Sequence, residues 1–242
     1  MNPIAFRLFI AALCGAAFFN MVSAVHAQTN DVAVCESVSG QATIDACTRL
    51  ISSEGFTGAQ LAAILNNRGE AYDLEGDDDK AFADFSEAIR LNPAFAAAYD
   101  NRAELYRWRG DYERGIADYN EAIRIEPANA AYWNGRCWMR ATMKRDLNDA
   151  LRDCDEALKR LPNSANALDS RALTLFQLGR LDEALLVYNA ALAAQPNKPH
   201  SLYGRGLVKL KQGDNTGGEA DLAAAKAADA EIEGEFTQFE LN

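Results

Sequence analysis

The chain has 242 residues, 24 Lys+Arg against 35 Asp+Glu, and a formal net charge of −11. That length allows one or two domains with a sizeable core. The acidity disfavours nucleic acid and anionic membrane surfaces as partners, since both repel a polyanion.

The first element in chain order is an export signal over residues 1–27. Arg7 supplies the positive start, Leu8 to Phe19 form an uncharged apolar run, and Val25 and Ala27 flank His26 before Gln28, a small-residue cleavage pattern. A retained membrane anchor is the alternative. A lipoprotein signal fits less well, because Leu13 precedes Cys14 where a small residue is required. Cleavage after Ala27 removes one base and no acid, so 23 Lys+Arg face 35 Asp+Glu and the net charge becomes about −12. The mature chain is then expected in the periplasm or outside the cell, with no membrane insertion of its own.

Residues 28–61 come next. Ile44 to Ser52 read as a lone second helix with Cys47, Leu50 and Ile51 on one face, and Thr57 with Gln60 reads as a capping box opening the following helix. The segment is expected to cover the first apolar face of the helices beyond residue 61.

From residue 62 the chain is periodic. Arg68, Arg102, Arg136, Arg171 and Arg205 are separated by 34, 34, 35 and 34 residues, and Pro93, Pro127, Pro162 and Pro196 by 34, 35 and 34. Two unrelated residue types sharing one period define a repeat array. Each arginine-to-proline interval holds two helical patterns divided by a short polar turn, and the proline, lacking an N–H, ends the second. The one-residue excess of the third repeat is placed in its turn, Ala141 to Asn148.

A two-helix unit of this period resembles the tetratricopeptide repeat. The residues that carry the resemblance are Leu65, Gly69, Tyr72, Ala81, Phe85 and Pro93 in the first repeat, and Tyr99, Ala103, Tyr106, Gly115, Tyr119 and Pro127 in the second. Trp133, Ala150 and Pro162 continue the pattern in the third, and Leu168, Ala172, Leu175, Ala184, Tyr188 and Pro196 in the fourth. The fifth keeps Leu202, Gly206, Leu222 and Ala225 but lacks the closing proline. All five depart from the family in placing arginine where it has leucine. The resemblance implies an all-α fold, a right-handed superhelical α-solenoid of helix-turn-helix repeats at 62–95, 96–129, 130–164, 165–198 and 199–232, with residues 233–242 as a C-terminal cap; Glu231, Glu233 and Glu235 make that end of the array polar. "ACTRLI", "NNRG" and "RCW" further resemble exported bacterial members of the family.

The arginines have acidic echoes. Asp84, Asp118 and Asp221 lie 16 residues after Arg68, Arg102 and Arg205, and Asp153 lies 17 after Arg136, across the extra residue; Val187 breaks the rule after Arg171. In an antiparallel pair these positions sit at one height, so four ion pairs tying helix to helix are expected, as scaffold and not as chemistry. Solvated arginines are the alternative. Four cysteines remain in the mature chain. Cys137 and Cys154 each stand one residue beyond Arg136 and Asp153, and Cys35 and Cys47 are close in sequence, so two disulfides are expected in an exported protein, against the alternative of small buried side chains.

Catalytic signals are absent. There is no H-E-x-x-H and no G-x-S-x-G; the glycines of Gly204 to Lys209 sit at helix-packing positions, Asp77 to Asp79 read as a turn, and His200 as a surface residue. No cofactor or metal is expected, and the chain reads as a non-enzyme. The resemblance implies that residues two before, two after and five after each arginine face a concave trough. These are Asn66, Glu70 and Asp73; Asp100, Glu104 and Arg107; Asn134 and Trp138; Asp169, Leu173 and Phe176; and Tyr203, Leu207 and Leu210. A protein or peptide with a basic and an apolar part suits that surface, with Trp138 and Phe176 as anchors. Closure of the apolar end by the C-terminal helix is the alternative. The expected function is an interaction adaptor, monomeric or weakly homo-oligomeric, against a self-assembling envelope component.

Overall fold

The computed structural model describes residues 29–37, 40–53 and 55–238; residues 1–27, the expected export signal, lie outside them. The described residues form thirteen helices and no strand. The chain divides into two compact units, Met1–Ala98 and Tyr99–Asn242.

The first unit contains α1 (29–36), α2 (Gly40–Ser52), α3 (Ala59–Leu74) and α4 (Asp78–Leu91). The expected lone helix therefore has a companion, α1. Cys35 and Cys47 are disulfide-bonded between them, with Ala46, Leu50 and Ile64 closing a small buried cluster. Arg49 adds a fork-on-fork pair with Asp31. The expected capping box is not formed. α3 is capped by Gly58 at φ 54° with no side-chain bond, and Gln60 N donates to the backbone carbonyl of Thr57 at 3.2 Å. Glycine reaches a left-handed backbone without strain, and the helix consequently starts one residue later than Thr57 would set it. α3 and α4 pack closely because Gly69 has no side chain: a Cβ there would stand 2.6 Å from the Phe85 ring.

The second unit takes up α5 (Ala96–Trp108) from Tyr99 and continues through α6 (Tyr112–Ile125), α7 (Ala130–Thr142), α8 (Leu147–Arg160), α9 (Ala165–Gln177), α10 (Leu181–Ala194), α11 (Pro199–Lys211), α12 (Asn215–Ala228) and α13 (Ile232–Gln238). Its largest core joins Leu173, Leu175, Phe176, Tyr188, Tyr203 and Val208 to Ile232 and Phe236 of α13.

Helix ends follow the punctuation of the sequence. α4, α6, α8 and α10 each stop two residues before Pro93, Pro127, Pro162 and Pro196, because proline also pushes its predecessor out of the helical region. α12 stops at the equivalent place without a proline, where Asp229 turns extended and its side chain accepts from Glu231 N at 2.9 Å. Three-residue turns inside four of the repeats carry Gly76, Gly110, Gly179 and Gly213 in the left-handed region. The third repeat's turn, 143–146, holds the extra residue and substitutes Lys144 and Asp146 at positive φ. Asp77, Asp111 and Asp214 cap the helices that follow by accepting from the backbone, so Asp77 is turn chemistry.

The arginines hold the helix pairs. Arg68 grips Asp84 through Nε and Nη2 at 2.7 and 2.8 Å, and Arg102 grips Asp118 at the same distances. Arg136 grips Asp153 at 2.9 and 2.6 Å, and Arg205 grips Asp221 at 2.7 Å through both nitrogens. All four aspartate side chains are at most 9% exposed. Arg140 adds a second base to Asp153, and Lys209 one to Asp221 at 2.8 Å. Burial raises the Asp221 carboxyl, but hydrogen bonds from Arg205 and Lys209 outweigh it and leave its pKa below the ordinary value. A lowered pKa stabilises the fold above the unfolded carboxylate's value and loses that stability as pH falls through the folded one. Asp221→Asn is therefore expected to flatten the acid limb of a stability–pH curve below about pH 4, as read by urea unfolding at stepped pH.

The arginines also reach backward, a link the forward spacing does not announce. The Nη1 atoms of Arg136 and Arg205 donate to Asn120 and Asn189, on the preceding repeat's second helix, at 2.5 and 2.9 Å, and that of Arg68 to Thr48 of α2 at 3.1 Å. Arg171, whose own repeat has Val187 at the aspartate's position, pairs backward, with Asp155 at 2.8 Å. Cys137 and Cys154 are disulfide-bonded and fully buried beside this network.

Candidate functional site

The first helices of the later repeats, α7, α9 and α11, pack on one another in sequence, so their outward residues share one face. Apart from Leu207 and Leu210, which are half-buried, the side chains expected to line a trough divide into three groups there and in the first unit.

Some are satisfied by neighbours. Asn66 is buried and donates to Glu70 at 2.6 Å. Glu104 and Arg107 pair at 2.8 Å, and Glu104 also takes the Tyr119 hydroxyl. Asp73 is exposed and Asp100 half-buried.

Others lie inside the core. Leu173, Phe176 and Tyr203 are 1%, 6% and 4% exposed. Tyr203 packs on Phe236 of α13 with ring centroids 4.4 Å apart. Phe176, on α9, lies buried beneath Lys211 of α11, which leaves little of its ring for a guest, while Tyr203 is covered by the C-terminal helix. The reason is register: Phe236 follows Leu202 by 34 residues, so α13 begins a sixth first helix and seals the face that the fifth repeat leaves. His200, expected at the surface, belongs to the same arrangement. Its Nε2 lies 2.8 Å from Glu235, its ring 5.7 Å from Trp138 at 75°, and 6.2 Å from Phe236.

The third group, Asn134, Trp138 and Asp169, converges on an open cavity of 150 Å³ completed by Asn166, Ser170, Lys198 and His200. Asp169 is 4% exposed and accepts from Ser201 Oγ at 2.6 Å. Burial pushes its carboxyl up, while Lys198, Ser201 and His200 pull it back. Lys198 Nζ donates to Asn166 Oδ1 at 2.8 Å. Asn134 Oδ1 is buried without a hydrogen-bond partner. Spacing from the arginines found three of the seven lining residues. Asn166 and His200 stand five before Arg171 and Arg205, one helical turn further than the pattern reached.

No helix of the described residues is long and apolar enough to cross a membrane. The family model of the tetratricopeptide repeat matches residues 62–95 and 96–129, and a second model, TPR repeat, matches 172–213. No curated protein matches the chain. Among solved structures, a tetratricopeptide repeat protein from Parabacteroides merdae ATCC 43184 superposes with a TM-score of 0.66 at 20% identity, covering 83% of this chain and 81% of that one. A thermophilic TPR protein in Thermus thermophilus gives 0.63 at 18% identity over 75% and 100%. YrrB, a TPR protein with an unusual peptide-binding site, gives 0.57 at 18% over 77% and 94%. At such identities the likeness shows the fold. With its period, its paired helices and these matches, the chain belongs to the tetratricopeptide-repeat family.

Proposed function

We propose that this is a non-catalytic adaptor, exported after loss of residues 1–27, that receives a segment of another protein on the α7–α9–α11 face. The cavity at Asn134, Trp138 and Asp169 carries the reading. It is the place where this face offers an aromatic ring, a buried acceptor and a carboxylate together, the mixture that anchors and orients a peptide. Self-assembly through the apolar C-terminal face is less favoured, because Leu173, Phe176 and Tyr203 are already buried within the chain's own core.

The test is a random peptide array probed with protein recovered from outside the cytoplasm, its N-terminal residue determined. A chain beginning at Gln28 is expected, retaining a defined peptide set that Trp138→Ala holds at least tenfold more weakly, about 1.4 kcal/mol. A product keeping its leader removes the export reading. Equal retention by both proteins, or none by either, removes the groove.

A further inference from the structure

The cavity has a chemical bias. Lys198 donates one N–H to Asn166, His200 lies against Glu235 and Ser170 Oγ donates to the Asn166 carbonyl, so these donors are at least partly engaged. The acceptors are less well served. Asn134 Oδ1 is buried with no donor, and Asp169, only a few per cent exposed, accepts from Ser201 through Oδ1 and lines the same cavity. Buried acceptors without donors are costly, and a buried carboxylate more so, and an incoming group relieves the cost by bringing N–H bonds. The opening, at 150 Å³, exceeds several times what one water needs. One wall is the Trp138 indole.

We infer that this cavity is a receptor for a guanidinium, the head of an arginine side chain on the bound partner. The inference rests on the groove reading above and names the residue that it selects. A guanidinium presents several N–H donors in one plane, enough to serve Asn134 and Asp169 from its edge while its face lies on an indole. An ammonium is compact and strongly hydrated and does not stack in this way. A carboxylate would meet the Asp169 carboxylate and the Asn134 oxygen, with Lys198 the charge in its favour. The net charge of −11 favours a cationic guest at long range as well.

The probe is N-acetyl-L-arginine amide, titrated into the exported protein labelled with ¹⁵N, reading the Trp138 indole N–H resonance assigned through Trp138→Phe. A saturable shift is expected, with the lysine and citrulline amides binding at least tenfold more weakly. Asp169→Asn, which keeps an acceptor for Ser201, and Asn134→Ala each weaken the arginine probe at least tenfold. No saturable shift, or equal binding of the lysine amide, overturns the inference. Its failure is separable from that of the groove: an array that selects peptides without arginine leaves the groove standing and sinks the guanidinium pocket. An array that selects nothing, while the arginine probe still seats, does the reverse.

Discussion

Asp153→Ala is expected to cost about 3 kcal/mol of stability, lowering the thermal midpoint by roughly 6–12 °C. Asp153 is 3% exposed and is held by Arg136 through two nitrogens and by Arg140 through a third. Removing it leaves two guanidiniums without the carboxylate that they share, and Arg140 Nε already lacks a partner. The value stands at the low end for a broken buried pair, because both arginines keep some access to water, at 13% and 17% side-chain exposure. Arg136 also retains Asn120 and the face of Trp133. The comparison is Asp155→Ala, whose carboxylate is 60% exposed beside Arg171 and whose loss should cost under about 1 kcal/mol. Equal midpoints for the two variants by calorimetry would show that the paired arginines are solvated ornaments.

Gly204→Ala sets two effects against each other. Alanine in a helix interior is worth about 1 kcal/mol over glycine. At this position, inside α11, the new Cβ would fall on the Tyr188 ring. Tyr188 is 1% exposed within the largest core and has no room to retreat. Overpacking of this kind costs about 1–3 kcal/mol, occasionally more, and here it should win, giving a net loss of about 2 kcal/mol. Gly234→Ala is the reference: it lies in α13 with open space around its added Cβ, and should be neutral or stabilising. Denaturant midpoints of the two single variants decide. A more stable Gly204→Ala would mean that Tyr188 swings away freely, contrary to its burial.

The same glycine explains how much of the fold is readable in the sequence. Gly135 and Gly204 precede their arginines at the places where Tyr119 and Tyr188 need space, and Ser170 takes the equivalent position where Cys154 stands in the tyrosine's place. Size at one position compensates size at another 16 residues away, so the period survives as a pattern of spacing even where identities change. Proline and glycine mark helix ends for backbone reasons that act locally, and a sequence displays local causes well. The α3 start misleads because Thr57 and Gln60 satisfy a side-chain rule, while Gly58 satisfies a backbone one. The trough is half legible for a different reason. Helical spacing tells which residues share a face, but what covers that face depends on a distant segment. Phe236 is in register with Leu202, yet a seven-residue helix is too short to announce itself by periodicity.

The backward bonds of the arginines make the joints interchangeable. Asn120, Asp155 and Asn189 occupy one place in successive repeats, each an acceptor for the arginine 16 residues on. Excising residues 165–198 would bring Arg205 to the station of Arg171, with Asp155 behind it and Asp221 still ahead. The shortened polypeptide would rejoin two surfaces already cut to fit, whereas removing half that length would set a first helix where a second belongs. Evolution can therefore lengthen or trim such a protein by whole blocks without inventing a new junction.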